Sequence, residues 1–127
     1  RSTKAPMASR PWIWSDAAWH HPDEFLSRMP KSVVQSNWYY GMDFTEENVA
    51  YKTWLLLAEN GFDQIPCGST WIHEKNFPTI VESLSERLGG QHLLGFMQSV
   101  WKPMLEECRT TQVHALDMLR QAHSLVP

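Results

Sequence analysis

The chain has 127 residues, 43% of them hydrophobic, and a formal net charge of −3. That length suits one domain with one modest core. So slight a charge supplies no basic field, which argues against nucleic acid as a partner. No apolar run nears the ~20 residues of a membrane span, so no membrane partner is expected either.

The first residues, Arg1 to Pro11, contain no apolar stretch of the signal-peptide kind and no initiator Met. They read as the start of a trimmed, mature or excised form, with residues 1–10 a preceding loop or helix end. "PWIWSD", Pro11 to Asp16, is a short aromatic and β-branched run and predicts a strand. "HPDEFLSRM" then predicts a helix. Pro22 suits its first position, Asp23 and Glu24 suit the positive end of its dipole, and Pro30 stops it.

The second unit opens with "SVVQSNW", Ser32 to Trp38, as a strand. Its helix is expected to start near Asp43 or Thr45, with Asp43 and Glu46 spaced as a capping box. Val49, Thr53, Leu56 and Leu57 give it one apolar face, and Asn60-Gly61 ends it. The third strand is expected within Phe62 to Ser69, although Pro66 removes a ladder donor. Its helix starts near Asn76, carries Phe77, Ile80, Val81, Leu84 and Leu88 as a stripe, and ends at Gly89-Gly90. The fourth strand falls in Leu93 to Trp101. Pro103 opens the last helix, whose stripe reads Leu105, Cys108, Gln112, Leu116 and Leu119.

The chain therefore reads as four βα units in a single domain over residues 1–127. Polar residues at the strand tips, Asp16, Asn37, Ser69 and Ser99, lie about 21, 32 and 30 residues apart, which suits a strand plus a crossover helix in a parallel sheet. Two architectures offer themselves, a doubly wound open sheet and half of a (β/α)8 barrel. A doubly wound nucleotide site would show a Gly-rich loop after the first strand, and "SDAAWHH" stands there instead. Polar and aromatic residues collect at every strand's C-terminal end, as barrel enzymes arrange them, so the barrel piece is preferred.

Seven tryptophans in 127 residues set the functional question. "SNWYYG", Ser36 to Gly41, ends a strand in an amide and three rings. Such rings either close a core or line a site for something flat and rich in hydroxyls. Sugars need both stacking faces and fixed donors and acceptors, which Trp beside Asp, Asn and Gln supplies. Other chemistries are weaker. His20 and His21 with Asp16 and Asp23 make a poor metal site, because adjacent histidines rarely point at one ion. Ser15, His20 and Asp16 are too close in sequence to be oriented as a triad. Cys67 has no base committed to it, and with Cys108 it reads as a small buried hydrophobe rather than part of a disulfide framework. No catalytic residue, metal or cofactor is assigned.

"PWIWSDAAWHH", "VVQSNWYYG", "GFDQIPCGSTW" and "LLGFMQSVW" together resemble the last four strands of family 20 glycoside hydrolases, the β-N-acetylhexosaminidase-like barrels. Trp14 and Asp16, Trp38, the Ser69–Trp71 loop, and Gly95 with Trp101 fall at matching places. The resemblance implies an α/β fold, the C-terminal half of a TIM barrel, binding an amino sugar or oligosaccharide. It implies that Trp14, Trp38, Trp71 and Trp101 stack on the sugar or border it, and that Asp16, Asn37, Tyr39 and Gln98 hydrogen-bond it. Departures are clear: Lys102 and Pro103 follow Trp101 where the family has an acid, and Trp71 stands in for a Tyr. The family's catalytic Asp-Glu pair, at the end of the fourth barrel strand, has no counterpart here; Asp23-Glu24 opens a helix. The implied partners beyond carbohydrate are a second copy of the chain or an N-terminal half-barrel, and the family favours an extracellular or periplasmic place over the cytoplasm. Two other readings stay open: a non-catalytic carbohydrate-binding or structural half-barrel, and an unrelated small α/β enzyme using Asp16, His20 or Cys67.

Overall fold

The computed structural model describes residues 9–125; residues 1–8, most of the expected N-terminal loop or helix end, lie outside that range. Strand β1 is Trp12–Trp14, followed by a 3-10 turn at Asp16–Trp19 and helix α1 at Pro22–Arg28. Strand β2, Val34–Ser36, leads to α2, Val49–Glu59. Strand β3, Cys67–Gly68, leads to α3, Asn76–Leu88, and β4, Met97–Gln98, leads through a 3-10 turn at Glu106–Cys108 to α4, Arg109–His123. The fold is mixed α/β, with a strand and a helix alternating four times.

All pairings among the described residues are parallel. β1 lies on β2 with Trp12 opposite Val34 and Trp14 opposite Ser36, and β3 lies on β4 with Cys67 opposite Met97. Isolated parallel bridges join Gln35 to Gln64, Trp38 to Cys67 and Gln64 to Leu93, so the two small sheets lie side by side in chain order. The strands are shorter than the sequence suggests, and Pro66 accounts for part of this. The Gln64 N–H bonds the His92 carbonyl at 2.8 Å. Two residues on, proline has no N–H to send to the fourth strand, and only its carbonyl, accepting from Met97 at 2.9 Å, holds that side.

The helices cover one face of this strand array. Tyr51, Trp54 and Leu55 of α2 pack with Ile80 and Leu84 of α3, and Phe77 and Val81 pack with Ala122 of α4. The α3 stripe falls where its 3.6-residue period places it. Two other expectations are corrected. α2 starts at Val49, because Asn48 caps it by accepting from the Ala50 and Tyr51 N–H groups at 3.0 and 3.1 Å. Asp43 instead closes a local turn, its Oδ1 accepting from the backbone N–H and hydroxyl of Thr45. With the start moved, Ala50, Trp54 and Leu57 are buried while Val49 is exposed. α4 begins six residues after Pro103, and Leu116 is 64% exposed; its buried side runs through Ala115 and Ala122.

Candidate functional site

The C-terminal ends of β1, β2 and β4 share one cavity. It has a volume of about 480 Å3 and is lined by Trp14, Asp16, Trp38, Tyr40, Ser99 and Trp101. The period of two in a strand explains the set. Parallel pairing puts Trp14 on the same face as Ser36, and Trp38 on the same face as Cys67 and Met97. Ser99 follows Met97 by two and returns to that face, away from the helices. Asp16 opens the 3-10 turn directly after β1.

The rings form a continuous series. Trp19 lies 4.8 Å from Trp38, and Trp38 stacks on Tyr40 at 5.2 Å with 26° between planes. Tyr40 meets Trp101 edge-on at 5.9 Å and 75°, and Trp101 lies 6.2 Å from Trp71. Edge-on and offset arrangements are those that aromatic quadrupoles favour. Trp14 and Trp101 remain 52% and 59% exposed, so their faces are open. Trp101 also sits at φ +56°, a left-handed conformation unusual for a bulky residue. That backbone strain brings its indole little burial.

Four of the eight residues singled out on sequence meet in the cavity: Trp14, Asp16, Trp38 and Trp101. Trp71 is 55% exposed and reaches it through Trp101. Tyr39 points elsewhere, edge-on to Phe44 at 5.9 Å, with its hydroxyl accepting from the Asp43 N–H. Gln98 donates to the Thr70 hydroxyl at 3.1 Å, and its buried Oε1 has no partner among the described residues. Asn37 is fully buried. Its Oδ1 accepts from the Trp19 indole at 2.8 Å, its Nδ2 donates to the Ala50 carbonyl at 2.7 Å, and its own carbonyl accepts from the Trp54 indole. It therefore positions Trp19 and ties the strand tip to α2.

Tyr40 and Ser99 were at the tips but not among the residues given a binding role. The signal was present: Ser99 lies at an even offset from Met97, and Tyr40 at an even offset from Trp38. Below the cavity the Cys67 thiol approaches the Ser99 hydroxyl at 3.6 Å, and Ser99 donates to Tyr40 Oη at 3.0 Å. Burial pushes both the Cys67 thiol and the Tyr40 phenol above their ordinary pKa values. Cys67 thus stays a protonated thiol, a poor nucleophile.

Among the described residues no three His, Cys, Asp or Glu side chains come together in a way that could hold a metal ion. No helix among them is long and apolar enough to cross a membrane. Comparison with protein families, with curated proteins and with solved structures finds no match to this chain.

Proposed function

We propose that the chain is the C-terminal half of a (β/α)8 barrel of the hexosaminidase-like kind and forms the walls of a sugar subsite. The observation that carries the reading is the cavity: three tryptophans, a tyrosine, a carboxylate and a hydroxyl at the C-terminal ends of parallel strands. Its volume lies within the range of small-ligand sites. Trp14, Trp38 and Trp101 offer faces to the C–H side of a pyranose. Asp16, Ser99 and Tyr40 offer acceptors and donors to its hydroxyls or acetamide. Such groups act by positioning and by contacts that strengthen in the transition state. The acid/base pair of a complete hydrolase lies outside this chain in this reading.

Its implied assembly follows from the edges. β1 and β4 each have one unpaired side among the described residues, and Trp12 of β1 is exposed. Such edges invite pairing, and a second copy or an N-terminal half-barrel would supply it. A size-exclusion profile showing a clean monomer with a steep unfolding transition would count against this.

The binding claim is tested by tryptophan fluorescence of the chain, titrated with N-acetylglucosamine and with a thiazoline transition-state mimic. A saturable shift that Trp38→Ala removes is expected. A folded sample that shows no shift with either ligand would return the rings to a structural role, as in a non-catalytic half-barrel.

A further inference from the structure

The cavity combines two features that a neutral sugar does not require together. Its rings do not form one flat platform: Trp38 and Tyr40 stack with 26° between planes, and Trp101 stands at 75° to Tyr40, so faces and edges of different rings border the same space. Asp16 is the one charged side chain lining the cavity, and among the described residues it takes part in no ion pair. An uncompensated carboxylate beside aromatic faces is a poor place for an anion and a good one for a cation. The ring quadrupole draws an ammonium to the face of Trp above all, and more strongly once water is displaced. Coulomb attraction to Asp16 adds to this in a half-enclosed site.

We infer that the cavity holds an organic ammonium group, with Trp14, Trp38, Tyr40 and Trp101 as its cage and Asp16 as its counter-ion. This uses the same cavity as the sugar reading but does not depend on it. The ammonium can come from a small quaternary ammonium compound or from the free amine of a deacetylated amino sugar. Both present the same chemistry to the cage.

The test is a fluorescence titration of the whole chain in mildly acidic buffer with two matched pairs of probes. Choline is compared with its neutral carbon analogue 3,3-dimethylbutan-1-ol, and glucosamine with N-acetylglucosamine. At least one cation should bind about tenfold more tightly than its neutral partner, as a cation–π cage with a counter-ion implies. Asp16→Asn should lower that preference severalfold, because only the ring contribution remains, while leaving the melting temperature unchanged. A preference seen only with choline assigns the site to small quaternary ammonium compounds, and one seen only with glucosamine assigns it to a sugar amine. The inference is overturned if neither cation is preferred, or if Asp16→Asn leaves the preference undiminished. Trp38-dependent binding of N-acetylglucosamine without any cation preference would sink this inference alone. A choline preference without binding of either sugar would sink the sugar reading alone.

Discussion

Replacing Asn37 should unsettle both the fold and the cavity wall. Asn37→Ala removes the acceptor of the Trp19 indole and the donor to the Ala50 carbonyl, at 2.8 and 2.7 Å. Each bond contributes about 0.5–1.5 kcal/mol net, and a buried group left unpaired costs about 1–3 kcal/mol. Ala50 lies in α2, so helix geometry keeps one acceptor bond on its carbonyl. Trp19 is half-buried, so water reaches part of its need. Together these give a loss of about 2–4 kcal/mol. Urea unfolding followed by circular dichroism measures it as a lowered midpoint with an unchanged slope. Trp19 lies 4.8 Å from Trp38, so freeing it should also weaken any ligand that stacks on Trp38. Asn37→Asp keeps the acceptor for Trp19 but buries a carboxylate without a counter-charge and sets its other oxygen against the Ala50 carbonyl, and should be at least as damaging. A loss below about 0.5 kcal/mol for Asn37→Ala would refute the reasoning, since that is the size of an ordinary surface change.

Other consequences follow from single contacts. A Cβ on Gly68 would stand 2.7 Å from Ile80 Cδ1 and 3.0 Å from Asn76 Oδ1, so Gly68→Ala should cost about 1–3 kcal/mol in thermal unfolding. Trp101→Gly relieves a left-handed backbone that costs a bulky residue about 1–3 kcal/mol, so it should leave the melting temperature equal or higher while weakening ligand binding. Hydrogen bonds from His92 and Arg10 hold the Asp63 carboxyl below its ordinary pKa. Its folded pKa is depressed, so its contribution is present above the unfolded value and lost as pH falls through the folded one. A pH series of unfolding midpoints should therefore show Asp63→Asn less stable than the parent at neutral pH, with the gap closing in acid below about pH 4. Cys67 is fully buried with a raised pKa and Cys108 is half-exposed, so a thiol reagent should modify one cysteine promptly and the second only on unfolding.

The βα alternation was legible because its signals are local. α3 shows this best: a 3.6-residue stripe from Phe77 to Leu84, closed by Gly89 at φ +55°. The start of α2 was misplaced because Asp43 and Asn48 are both good caps, and only tertiary packing of Trp54 under the strand tips chooses between them. The α4 stripe was legible only in part: Leu119 packs on Phe77, Val81 and Ala122 as expected, but the fully buried positions are alanines, which carry little hydrophobic signal, and Leu116 faces outward. For the site, an aromatic residue at a strand tip was readable, but its direction was not. Asn37, Trp38, Tyr39 and Tyr40 alternate, so Trp38 and Tyr40 enter the cavity while Asn37 and Tyr39 turn toward the helix side. A shift of one residue in register exchanges the two pairs, and one sequence does not fix that register.

The central claim, that the strand-tip cavity takes a sugar, is tested most directly by the indole N–H signals of the seven tryptophans in a proton–nitrogen NMR spectrum titrated with N-acetylglucosamine. Trp14, Trp38 and Trp101 line the cavity, while Trp54 is fully buried with its indole bonded to the Asn37 carbonyl. The account predicts saturable shifts for the first three with one common affinity, and a stationary signal for Trp54. Stationary signals for Trp14, Trp38 and Trp101 in a folded sample, or movement confined to tryptophans outside the cavity, would contradict it.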